Sequence, residues 1–132
     1  MRTSVTFRSK AFPAVANDTI NAPTRYGKKL AQWLVAELPK HGLVVNDYYD
    51  EDWGWEIELA NADFPLHLGC GNMDGEEGAF CCFITPNRPT LRPIKRLFRA
   101  IDTRPAVDKL AAALDAVLRA HPQISDIEWE NE

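Results

Sequence analysis

The side chains best suited to metal or nucleophile chemistry in this 132-residue chain are three cysteines and three histidines. Their densest grouping is His67 and Cys70 with the adjacent pair Cys81-Cys82. A structural zinc ion needs four such donors converging tetrahedrally. Strand alternation works against that here, because neighbouring residues point to opposite faces. It separates Cys81 from Cys82, and the odd spacing separates His67 from Cys70. Reduced cysteine also serves well as a small core side chain. The expectation is no metal and no cofactor. Cys70, between Gly69 and Gly71, is the thiol best placed near a close backbone approach, but a nucleophile needs a base and an orienting group. His41 and His121 fall at the expected C-termini of helices, where partial positive charge is favourable for structural reasons. The chain has no phosphate loop, nucleophile elbow, His-Glu-x-x-His or Cys-x-x-Cys, so no catalytic residue is assigned.

The most informative stretch is Asp47 to Glu58, where carboxylates crowd around Tyr48, Tyr49, Trp53 and Trp55, with Gly54 at the bend. Gathered like charges repel unless they are solvated or paired. Two readings follow. In the first, Trp53 and Trp55 are hairpin core, while Glu51 and Asp52 pair with a cation such as Arg25 or cap the turn. In the second, Arg25, Tyr49, Glu51, Asp52, Trp53 and Trp55 form a recognition face. Rigid aromatics would supply binding energy there, and carboxylates would select a basic protein partner.

Charge is strongly segregated. From Leu43 to Asn87 there are ten acidic residues and no Lys or Arg, whereas Met1–Gly42 and Arg88–Ser125 each carry a net +5. Arg92, Lys95, Arg96 and Arg99 could form a phosphate-contacting stripe on a helix. The acidic overall balance, with pI about 5.4, argues against nucleic acid, and so does the lack of interleaved stacking aromatics. These cations could equally face the chain's own acidic middle. No apolar run approaches the ~20 residues of a membrane span, and Met1 to Lys10 lacks the apolar stretch of a signal peptide. An odd number of cysteines, two of them adjacent, makes no disulfide framework. A reduced, cytoplasmic protein is expected, and nothing in the sequence selects an oligomeric state.

The elements that must position these residues fit one α+β domain over residues 1–132. Val5 and Phe7 mark a first strand. A helix is expected from Pro23 or Thr24, capped by Asn21 or Thr24. Tyr26, Leu30, Trp33, Leu34 and Leu38 form its apolar stripe, and Pro39 and Gly42 end it. An antiparallel meander follows. It comprises Leu43–Tyr49, then Trp55, Ile57 and Leu59 alternating with Glu56 and Glu58, then Phe64–Cys70, and finally Ala79–Ile84 as a central strand covered on both faces. Leu91, Ile94, Leu97, Phe98 and Ile101 suggest a basic helical segment. Thr103 should cap a helix with Val107, Leu110, Ala111, Leu114, Val117 and Leu118 inward, which His121-Pro122 stops. Ile127 and Trp129 close the chain as an edge strand. The expected architecture has two layers, a curved, mostly antiparallel sheet of five to six strands with two to three helices on one face.

The Arg25-Tyr26-Gly27 opening, the Leu30 to Leu34 run and the string Glu51-Asp52-Trp53-Gly54-Trp55 together resemble a family of small bacterial proteins. That resemblance covers the first half of the chain. It implies a bacterial origin and carries no activity. The leading functional expectation is a non-enzymatic protein-binding module that turns an acidic aromatic face to a basic partner. Small immunity-type inhibitors of basic toxins share its size and charge. The alternatives are a small-molecule or enzyme pocket near Arg25, Glu51, Asp52 and Cys70, and a nucleic-acid contact through Arg92 to Arg99.

Overall fold

In the computed structural model, which describes residues 1–92 and 99–131, six antiparallel strands form a sheet. In chain order they are β1 (Arg2–Ser9), β2 (Val45–Glu51), β3 (Gly54–Leu59), β4 (Leu66–Asn72), β5 (Ala79–Thr85) and, last, β8 (Ile124–Asn131). Their spatial order is β2-β3-β4-β5-β1-β8, so the expected meander is present and the final strand lies at an edge. Two short strands, β6 (Thr90–Leu91) and β7 (Ile101–Asp102), make a separate hairpin. Leu91 and Ile101 are therefore cross-strand partners instead of members of one helical stripe. Ile94, Lys95, Arg96, Leu97 and Phe98 lie outside the described residues.

Two helices, α1 (Lys28–Glu37) and α2 (Arg104–Ala120), pack on the sheet. The first lies over β2, β3 and β4, the second over β1, β5 and β8. Alternation sorts each strand against them. Val5, Phe7, Ile57, Leu68, Phe80, Cys82 and Ile84 are all buried and meet Leu30, Leu34, Leu110, Leu114 and Leu118 in one apolar cluster. Burying such side chains contributes about 1.5–3 kcal/mol each, and this periodic burial is what holds the helices down. Among the described residues no helix is long and apolar enough to cross a membrane.

β5 departs from expectation. Phe80, Cys82 and Ile84 point into the core, but Phe83 and Thr85 are exposed and Cys81 is half-buried. Both helices cover the same face, so on β5's other face Phe83 stays at the surface and only Ala79, at the strand's start, is buried.

The start of α1 also differs. It begins at Lys28, and neither Asn21 nor Thr24 caps it. Residues 19–25 are held in turns by hydrogen bonds from Ala22 N to Thr19 O, and from Thr24 N and Arg25 N to Asn21 O. The cap comes from Asp18, whose buried carboxylate accepts the N–H groups of Gly27 (3.0 Å) and Lys28 (3.2 Å). The same Oδ1 accepts the Thr19 N–H and the Trp55 indole N–H, both at 2.9 Å. Charge at a helix N-terminus is favoured by the dipole, and four donors replace the water that burial removes. Asn72 completes the tie. Its side-chain oxygen accepts the Tyr26 N–H at 2.7 Å. At the other end of α1, a 3-10 turn (Leu38–His41) closes on Gly42, whose φ of 81° suits glycine.

Thr103 occupies the N-cap position of α2, but its hydroxyl donates to the Arg88 carbonyl, and the Asp102 carboxylate takes the Arg104 N–H at 3.1 Å. The free edge of β2 is partly shielded, since the Tyr48 N–H donates to the Asp47 carboxylate at 2.8 Å.

Removing the Asp18 carboxylate leaves three backbone donors and an indole without their partner. Asp18→Ala should lower unfolding free energy by about 3 kcal/mol in urea titration. A loss within error would show that these bonds do not hold the loop to α1.

Candidate functional site

The β2–β3 hairpin divides the acidic aromatic stretch between the two faces of the sheet. Trp55, opposite Cys70, turns into the core and is buried, with Tyr48 5.8 Å from its ring. Trp55 is thus a structural residue and not part of a recognition face. Asp52 and Trp53 form the two-residue connection. Across the uncovered face run two rows of paired residues. One contains Tyr49, Glu56, Gly69, Phe83 and Ser4; the next joins Gly71, Cys81 and Thr6, with the Glu51–Gly54 pair packed beside Gly71 at its end.

Two glycine sites explain how the aromatics lie on this face. A Cβ on Gly69 would sit 2.2 Å from the Phe83 ring, so Phe83 rests on bare backbone. A Cβ on Gly54 would approach the Cys70 carbonyl to 2.5 Å, so the hairpin can close on β4 only with glycine there. Trp53 then meets Phe83 with ring centroids 5.0 Å apart. Together Arg25, Trp53, Gly71, Asn72, Cys81 and Phe83 line a pocket of about 260 Å³.

Three of the four most exposed large apolar residues among the described residues belong to the surrounding segments. Phe83 is 36% exposed, Met73 40% and Ile20 86%. Ile20 precedes Asn21, whose side-chain amide donates to the Asp52 carbonyl at 2.9 Å. Met73 precedes Asp74, the partner of Arg25 at 3.1 Å. Arg25 therefore pairs with Asp74 and not with Glu51 or Asp52, whose side chains remain at the acidic rim. Electrostatics reflect that rim. The Tyr49 phenol is pushed above its usual pKa by partial desolvation, then by the nearby Glu56, Glu58, Glu51 and Asp47.

The candidate metal donors do not converge, and among the described residues no cluster of three or more forms a metal site. Cys70 and Cys82 are cross-strand partners, fully buried on the helix side. Burial drives both thiols well above the normal range, which is opposite to what a thiolate nucleophile needs. Cys81 sits on the open face, and its thiol is raised by desolvation despite a contact with the Ser4 hydroxyl. His67 shares that face, and its Nδ1 lies 2.8 Å from Glu56. Neither Cys70 nor His67 lines the pocket.

A larger open cleft, about 790 Å³, lies at the end of β1 between Arg8, Lys10, Phe12, Tyr26, Glu77 and Gln123. Arg8 there is bound to Glu76 at 2.8 Å. His121, at the end of α2, is half-buried and packs its ring edge-to-face against Phe12 and Trp33.

Of the residues grouped from the sequence, Arg25 and Trp53 line the Trp53–Phe83 pocket, and Tyr49, Glu51 and Asp52 lie along the same margin. Phe83, Cys81, Met73 and Ile20, which the sequence pattern does not single out for a recognition face, lie beside them. The signal for Phe83 was present in the two glycines of Gly69-Cys70-Gly71, which expose β4's outer surface beside it. Fold and site together define an α+β sheet protein with one helix-covered face and one open, acidic, aromatic face. No family model, curated protein or solved structure matches the chain.

Thiol chemistry should report the division of faces. In native protein only Cys81 is expected to react with N-ethylmaleimide, and its rate should keep rising as pH passes about 9, because its pKa is raised. All three cysteines should react in denaturant. Native labelling of Cys70 or Cys82 would contradict the assignment of faces.

Proposed function

We propose that this protein is a non-enzymatic protein-binding module whose open sheet face engages a basic protein partner. The observation that carries this reading is the placement of Trp53. It caps no core; it lies half-buried against exposed Phe83 beside Arg25, with Glu51, Asp52, Glu56 and Asp74 around it. Trp, Arg and Met are the types enriched where protein interfaces concentrate their binding energy. The carboxylates select a cationic surface and speed its encounter.

Two alternatives have less support. A pocket of about 260 Å³ falls below the roughly 300–1,000 Å³ of small-molecule sites, and it brings no nucleophile to a base. Its thiol is Cys81 and not Cys70. A nucleic-acid role would rest on Arg92, Lys95, Arg96 and Arg99, two of which lie outside the described residues, while the open face carries the charge that phosphates avoid.

Affinity capture from native lysate should compare wild type with an Asp52→Asn, Trp53→Ala double variant that retains its circular dichroism spectrum. A partner of basic pI should be held by wild type, lost by the variant, and bind purified wild type at least about thirtyfold more tightly than the variant, the factor expected for one aromatic hot spot. Equal capture by two folded proteins would rule the face out.

A further inference from the structure

On the reading of the open face as a protein-binding surface, we propose that the Trp53–Phe83 pocket seats one aromatic side chain of the partner, with Lys or Arg beside it on the partner's chain. Size supports a single side chain. The pocket, about 260 Å³, is smaller than a typical ligand site but ample for one ring.

Its chemistry selects an aromatic. Trp53 and Phe83 present ring walls tilted by 50°, so an inserted ring can meet one edge-on and the other face-on. At the base Gly71 lets the Trp53 and Tyr26 carbonyls close on the sheet, where a Cβ would lie 3.1 and 3.3 Å from them, and the Cys81 sulfur offers a polarizable contact to the ring. Arg25 supplies a planar guanidinium at the pocket margin, suited to stacking on a ring. Its charge is balanced by Asp74, which is largely exposed. A partner carboxylate would meet Glu51, Asp52 and Asp74 at the rim, so the residues flanking the anchor must be cationic. The polar groups of the pocket do not require a ligand of their own. The Asn72 side chain already binds the Tyr26 N–H and the Thr24 carbonyl.

The inference is tested with two capped peptides, acetyl-Lys-Phe-Lys-amide and acetyl-Lys-Ala-Lys-amide, titrated into the full-length, isotope-labelled protein and followed by amide and indole NMR shifts. The Phe peptide should bind about tenfold more tightly, as expected for partial burial of one aromatic ring. Its shifts should centre on Gly71, Cys81, Phe83 and the Trp53 indole. Filling the pocket should erase that advantage and leave the salt-sensitive binding of the Ala peptide. It can be filled by Cys81→Phe or, without any folding burden, by alkylating Cys81 in the native wild type. Equal affinity for the two peptides would overturn the anchor pocket while leaving the acidic face standing. Phe-peptide shifts centred on the Phe12–Tyr26 cleft would overturn it as well. No response to either peptide would remove both the pocket and the acidic-face reading.

Discussion

The carboxylate of Asp18 is the interaction on which the site depends. It is buried, and a buried charge is costly unless hydrogen bonds replace its water. Four donors do so, from Thr19, Gly27, Lys28 and the Trp55 indole. Those bonds fasten the loop after β1 to the start of α1 and to the start of β3. Tyr26 and Gly27 are thereby set against Cys70 and Gly71, where a Cβ on Gly27 would come within 3.0 Å of the Cys70 carbonyl. Arg25 then emerges beside the β2–β3 turn. A helix capped by its own N-terminal residue would not have required this loop to reach the sheet.

The second constraint is that the sheet has two unlike faces. One is closed by α1 and α2, and its rows read Trp55, Cys70, Cys82 and Val5. The other reads Glu56, Gly69, Phe83 and Ser4. One-residue alternation gives adjacent residues opposite physical roles. Trp55 anchors Asp18 and fills the core, while Trp53, two positions earlier but in the turn, swings over Phe83. Cys82 is inert in the core and Cys81 is at the surface. Charge follows the same division. The acidic middle of the chain supplies β2 and β3, whose alternation places Asp47, Glu51, Glu56 and Glu58 together at one margin of the open face. Apolar contact and charge are thus adjacent there, the two features on which the proposed binding role rests.

Much of the fold was legible in the sequence because its signals are periodic. Leu30, Leu34 and Leu38, and likewise Leu110, Leu114 and Leu118, recur at the helical period and are buried. Trp55, Ile57 and Leu59 alternate and are buried. Periodicity cannot say what covers a face. The run Ala79 to Ile84 looks the same whether its second side meets a helix or solvent, so its apolar pattern alone predicts a strand covered on both sides. Nor does local patterning expose a cap donated from nine residues upstream, so the spacing alone predicts a start for α1 four or five residues before Lys28.

By itself the sequence determined the types of the main sheet strands and of α1 and α2, the meander and the concentration of carboxylates in the middle of the chain, though not the pairing of Leu91 with Ile101. Each follows from local spacing and composition. Only the tertiary structure decided which tryptophan is core and which is surface, that Arg25 belongs with Asp74, and that Cys70 and Cys81 lie on opposite sides. Those outcomes depend on which face the helices cover and on strand register, both properties of residues far apart in the chain. Gly54 and Gly69 mark the difference. Their missing side chains are visible in the sequence, but the Cys70 carbonyl and Phe83 ring that occupy the space become evident only once the strands are paired.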